Sequence, residues 1–102
     1  MKLSLEAQAQ LRRLVIHYDG LERIEAISNL KAALKRAIHE ITRTPRVGLC
    51  APRPYPELAE LGHLWIKAGP YWFSYLHQAG QPGRSAEITG IFHDRSNIPG
   101  AV

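Results

Sequence analysis

His63-Leu64-Trp65-Ile66-Lys67-Ala68-Gly69-Pro70-Tyr71-Trp72-Phe73-Ser74-Tyr75-Leu76-His77 decides how the rest of the chain is read. Gly69-Pro70 divides it into two runs rich in aromatic and β-branched residues, which predicts strands over 63–68 and 71–77 joined by a turn. Downstream, Gln-Ala-Gly-Gln-Pro-Gly-Arg-Ser over 78–85 has the composition of a hairpin loop, and 86–93 reads as a third strand. The remainder closes on Asn97-Ile98-Pro99-Gly100.

Upstream the pattern changes twice. Pro45, Pro52, Pro54 and Pro56 crowd the 45–56 stretch, a density that neither a helix nor a central strand accepts. It reads as a crossover loop, with a short turn over 57–61. Before it, Leu21, Ile24, Ile27, Leu30, Leu34, Ile38 and Ile41 recur every three or four residues. Charged residues fill the intervals, so this is an amphipathic helix, stopped by Pro45. Leu11, Leu14, Val15 and Tyr18 mark an earlier helix over 6–18, punctuated by Asp19-Gly20. Residues 1–5 alternate weakly and read as a short strand or a lead-in. The sum is a single α+β domain over 1–102, with a helical hairpin packed on an antiparallel sheet of three to four strands.

Composition narrows the function. At 102 residues, 45% of them hydrophobic and 22% charged, the chain suits one globular unit rather than a disordered one. Its longest uncharged run, over 68–83, is broken by Gly69, Pro70, Gly80 and Pro82, so no membrane span is expected. No basic-then-apolar leader opens the sequence, and the lone Cys50 forms no internal disulfide, which together predict a cytoplasmic protein. Cys50 lies among prolines and reads as an inert thiol. His17, His39, His63, His77 and His93 show neither helical i,i+4 pairs nor His-x-His, so no metal and no cofactor are expected. Ser74, Ser85 and Ser96 lack a glycine-flanked elbow, and no phosphate-loop pattern occurs.

Thirteen basic against nine acidic side chains give a net charge of +4. Residues 1–45 contribute +3 of it and residues 46–102 only +1. The excess therefore falls on helices, where lysine and arginine are ordinary surface residues, and suits an acidic protein partner better than an RNA footprint.

The aromatic cluster Trp65, Tyr71, Trp72, Phe73 and Tyr75 has two readings. Strand alternation puts Tyr71, Phe73 and Tyr75 on one face and Trp72 with Ser74 on the other. In the first reading these rings are sheet core with a half-exposed remainder. In the second, the outer face stacks bases or anchors a protein, joined by Lys67, His93 and Arg95. His93 and Arg95, two apart on an extended segment, share a side and suit phosphate or carboxylate contacts.

The 65–75 segment and the closing Ile91-Phe92-His93-Asp94-Arg95-Ser96-Asn97-Ile98-Pro99, behind a helical hairpin and a proline-bearing crossover, resemble the RelE/ParE superfamily of bacterial toxins. The resemblance implies a toxin of a type II toxin–antitoxin pair, of the kind associated with plasmid stabilisation, neutralised by an antitoxin protein with an acidic segment. RelE-like members are ribosome-dependent ribonucleases that cut messenger RNA. ParE-like members poison DNA gyrase by contact.

The residues lean toward the second branch. Trp72 stands where the middle strand of the family often has arginine after its first tyrosine. Cleavage through a 2′-hydroxyl needs a base, an acid and cations for the developing charge, and the sheet half is poor in cations. If the chain were a ribonuclease, His93, Arg95, Lys67 and Tyr71 would form the catalytic set. As a ParE-like inhibitor it has no catalytic residues, and Lys67, Trp72, His93 and Arg95 are the expected partner-binding determinants.

Overall fold

The computed structural model describes residues 2–77 and 86–101; the expected hairpin loop over 78–85 lies outside them. The chain runs β1 (Lys2–Leu3), α1 (Leu5–Gly20), α2 (Ile24–Arg43), a 3-10 turn (Pro56–Leu61), β2 (Leu64–Ala68), β3 (Tyr71–Leu76), β4 (Glu87–His93) and a short α3 (Ile98–Ala101). This is the α+β arrangement that the periodicities predict, a helical hairpin followed by a sheet.

Ser4 starts α1 by accepting the Ala7 N–H on its Oγ at 3.1 Å, which satisfies one of the donors a helix start leaves open. At the other end the chain turns sharply. The Leu21 N–H reaches back to the His17 and Tyr18 carbonyls, and the Arg23 N–H returns to the Tyr18 carbonyl at 2.9 Å. Glu22 takes φ of +56° to make this turn, a left-handed conformation unusual for a residue with a side chain.

The second helix therefore begins at Ile24, and the first members of its sequence stripe do not join the core. Leu21 is 54% exposed and Ile24 76%. Leu30, Ala33, Ala37 and Ile41 are buried, with Leu34 and Ile38 packed beside them. Small residues at 33 and 37 let the helix settle closely onto the sheet, so the buried line runs through alanines that a search for large apolar residues passes over.

In the sheet the strand order is β1-β4-β3-β2. Strands β2, β3 and β4 form the expected antiparallel meander. The sheet as a whole is mixed, which corrects the expectation of a purely antiparallel one: β1 runs parallel to β4, with Lys2 opposite Glu87 and Leu3 opposite Ile88. The reason is connectivity. The chain leaves β1 at one edge, and the hairpin and crossover carry it to β2 at the other, so β1 is not bound by the alternation of a meander. Between β2 and β3 the two-residue turn has Gly69 at φ +58° followed by Pro70, the order a II′ hairpin turn requires.

All positions from Tyr71 to Tyr75 are buried, so β3 is covered on both faces. Tyr71, Phe73, Tyr75, Ile88 and Ile91 meet the helices. Trp72, Trp65 and Phe92 form a second cluster with Leu58 and Ile98, flanked by Ala51 and Tyr55. The crossover is thus no mere connection: Pro52 is fully buried, and the 3-10 turn and α3 roof the second face.

Two polar contacts fix this arrangement. Tyr75 Oη donates to the Pro45 carbonyl at 2.8 Å and accepts the Gly48 N–H at 2.9 Å, pinning the start of the crossover to β3. A Cβ on Gly48 would lie 2.6 Å from that oxygen, so only glycine fits. On the other side, β1 is too short to reach Ile91. The buried Gln10 of α1 substitutes for a neighbouring strand, its Oε1 accepting the Ile91 N–H at 2.9 Å. Among the described residues, no helix is long and apolar enough to cross a membrane.

Two stability predictions follow from this packing, both read as urea midpoints. Ile88→Ala opens a cavity beneath the helices and should cost about 2–5 kcal/mol. Gln10→Leu keeps the bulk but strands the Ile91 N–H, and should cost about 1–3 kcal/mol.

Candidate functional site

Strand register sorts the expected site residues before any side chain is considered. Tyr71 lies opposite His93, and Lys67 opposite Trp72. Directly opposed residues share a face, so Tyr71 and His93 stand on the helix side and Lys67 and Trp72 on the other. Arg95 follows the end of β4 and is exposed.

Trp72 corrects the expectation of an open aromatic surface. It is 2% exposed, packed in the second cluster, with the Arg53 guanidinium carbon 5.8 Å and Lys67 Nζ 5.9 Å from its ring centre. The indole is a floor under two cations, and no face of it is free to stack on a base. The alternation was read correctly, but the cover supplied by the crossover and α3 was not visible in it.

Lys67 also reaches past the strand end to Asp94, with Nζ 3.2 Å from Oδ2. The other carboxylate oxygen of Asp94 lies 3.3 Å from His93 Nδ1. That nitrogen also accepts the Arg95 backbone N–H at 3.1 Å. These neighbours ask different things of it: a bare Nδ1 accepts from Arg95, whereas a protonated one donates to Asp94. The turn itself is held by Asp94 N–H on the Pro70 carbonyl at 2.8 Å and Ser96 Oγ on the His93 carbonyl at 2.6 Å.

On the helix side the His93 ring meets Tyr71 edge-on, with centroids 5.4 Å apart. Tyr71 Oη is 2.6 Å from Tyr18 Oη, a buried hydrogen bond that joins β3 to the last turn of α1. Burial pushes the Tyr71 phenol well above its ordinary range and the Tyr18 hydroxyl adds to this, while Arg23 pulls the other way. Arg23 itself lies over the Tyr18 ring, 5.9 Å from its centre. Between the hairpin turn and the ends of β3 and β4 opens a cleft of about 570 Å³, walled by Tyr18, Arg23, Asn29, Tyr71 and His93.

Of the four residues of a ribonuclease set, Tyr71 and His93 meet on the helix side, Asp94 links Lys67 to His93 at the strand end, and Arg95 is exposed just past β4. Tyr18, Arg23 and Asp94 belong to this region and were not singled out by sequence. The one available signal was a tyrosine, rather than an aliphatic residue, closing the apolar stripe of the first helix. Among the described residues, no group of three or more His, Cys, Asp or Glu side chains is placed to hold a metal ion. Neither the protein-family models nor the curated proteins give a match to this chain.

Alkaline stability tests the Tyr71 environment. Its phenol is held above the value of 10.0 that it takes in an unfolded chain, and burial raises Tyr75 as well, against a lowering by the Gly48 N–H. The folded state thus keeps these protons where the unfolded state releases them. Their contribution is complete below pH 10 and declines as the pH rises further. Urea midpoints should fall above that pH, and Tyr71→Phe should flatten the fall.

Proposed function

We propose that the protein is the toxin of a type II toxin–antitoxin pair, of ParE-like kind, which arrests growth by binding DNA gyrase in the cytoplasm and is neutralised by an antitoxin carrying an acidic segment. The resemblance of the 65–75 and 91–99 segments to the RelE/ParE superfamily supports the toxin reading, and the observed order of hairpin and sheet agrees with it. Charge supports the partner: the net +4 is drawn mostly from the helical half, a surface suited to acidic protein.

The observation that carries inhibition by contact over RNA cleavage is that Tyr71 and Lys67 are already engaged by other groups of the protein. Phosphodiester cleavage needs its base, acid and cation within hydrogen-bond reach of one phosphate. Here the Tyr71 hydroxyl is buried against Tyr18 at 2.6 Å, and Lys67 Nζ is 3.2 Å from a carboxylate on the other side of the sheet. A cation already neutralised by Asp94 is a poor stabiliser of developing phosphate charge.

Purified protein is expected to inhibit supercoiling of relaxed plasmid by gyrase and to leave ribosome-bound message whole. Message cut in the ribosomal A site, with cutting lost in His93→Ala or Arg95→Ala, would replace this reading with the RelE-like one. Expression without a partner is expected to stop growth, and normal growth at full expression would remove both.

A further inference from the structure

The cleft between the hairpin turn and the strand ends holds a hydroxyl proton and a guanidinium that, among the described residues, no acceptor engages. Tyr18 and Tyr71 are 93% and 98% buried, and their hydroxyls are each other's partner at 2.6 Å. Two hydroxyls bring two protons, and a single bond between them uses one. The second proton belongs to a buried oxygen on the cleft wall and has no acceptor in the pair. Beside it stands Arg23, which has no carboxylate within ion-pair distance among the described residues. His93 lines the same cleft. Arg23 is also the N-cap of α2, and its side chain makes no capping hydrogen bond.

We infer that this cleft receives a carboxylate carried on a peptide side chain, held by Arg23 and by the free hydroxyl proton of the Tyr18–Tyr71 pair. Its volume, about 570 Å³, is far more than a carboxylate fills, so the group arrives attached to something larger. Ile24, on the wall and 76% exposed, gives an apolar neighbour a place to rest. Glu22 and Glu25 also line the cleft and oppose each negative charge a ligand brings, so a single carboxylate on Arg23 is favoured over a phosphate dianion. The left-handed backbone at Glu22 fits the same account, since a strained turn is what brings Arg23 back beside Tyr18. The inference rests on the cleft's own donors and stands whether or not the protein is a toxin.

Amide and guanidinium NMR shifts at Arg23, Ile24 and Glu25 test it, with three probes: acetate, the blocked dipeptide acetyl-Leu-Glu-amide, and inorganic phosphate. The dipeptide should saturate the shifts and bind at least about tenfold more tightly than acetate, with phosphate weaker than both. Arg23→Gln changes an exposed residue and should weaken the dipeptide about tenfold or more, while Arg12→Gln on α1 leaves it unchanged. Tyr18→Phe leaves Tyr71 as the only hydroxyl, whose proton then faces the cleft, and should retain binding. Tyr18→Phe combined with Tyr71→Phe removes both protons and should abolish it. Equal affinity for acetate and dipeptide would assign the cleft to small free acids, and tighter phosphate would assign it to phosphate. Either result, or full binding in Arg23→Gln, overturns the inference.

Discussion

A strand buried at five successive positions has to be covered twice, and in this protein that constraint on β3 organises everything else. One cover is the helical hairpin, which meets Tyr71, Phe73 and Tyr75. The other is assembled from pieces that look incidental: a buried proline, a 3-10 turn and a four-residue helix over Trp65, Trp72 and Phe92. Pro52, Tyr55 and Leu58, between α2 and β2, supply much of that second cover. The crossover must therefore serve as core as well as connection, which is why Tyr75 is bonded to it at two backbone groups.

This economy also decides what the candidate site can do. With both faces of the sheet occupied, side chains capable of chemistry are confined to the strand ends. There Asp94 draws Lys67 and His93 together from opposite sides of the sheet, and Tyr71 is drawn inward to Tyr18. What remains open is a cleft at the hairpin turn rather than a cationic surface.

Most of the architecture was legible in the sequence because it is written in short-range signals. Gly69-Pro70 dictates a turn whatever surrounds it, and the spacing from Leu30 to Ile41 dictates a helix face. Signals that depend on distant partners were not legible. Trp72 reads as surface or core according to what covers it, and its cover comes from residues 51–58 and 98, which carry no periodicity. The parallel pairing of Leu3 with Ile88 and the bond from Gln10 to Ile91 join positions about eighty residues apart. Tyr18 was visible as apolar and only the fold engages its hydroxyl, since the partner, Tyr71, lies 53 residues away.

Those long pairings bear on how the protein is made. Residues 2–10 form β1 and the first turns of α1, yet the groups that hold them to the sheet, Ile88 and Ile91, are synthesised long afterwards. Until residue 91 has left the ribosome, β1 and α1 lack the strand they pack on, and the apolar stripe of α1 faces water. Closing so large a loop is slow compared with helix formation, so the chain spends its synthesis with α1 formed but uncovered. A chaperone or a binding protein that meets this chain during translation meets that stripe first.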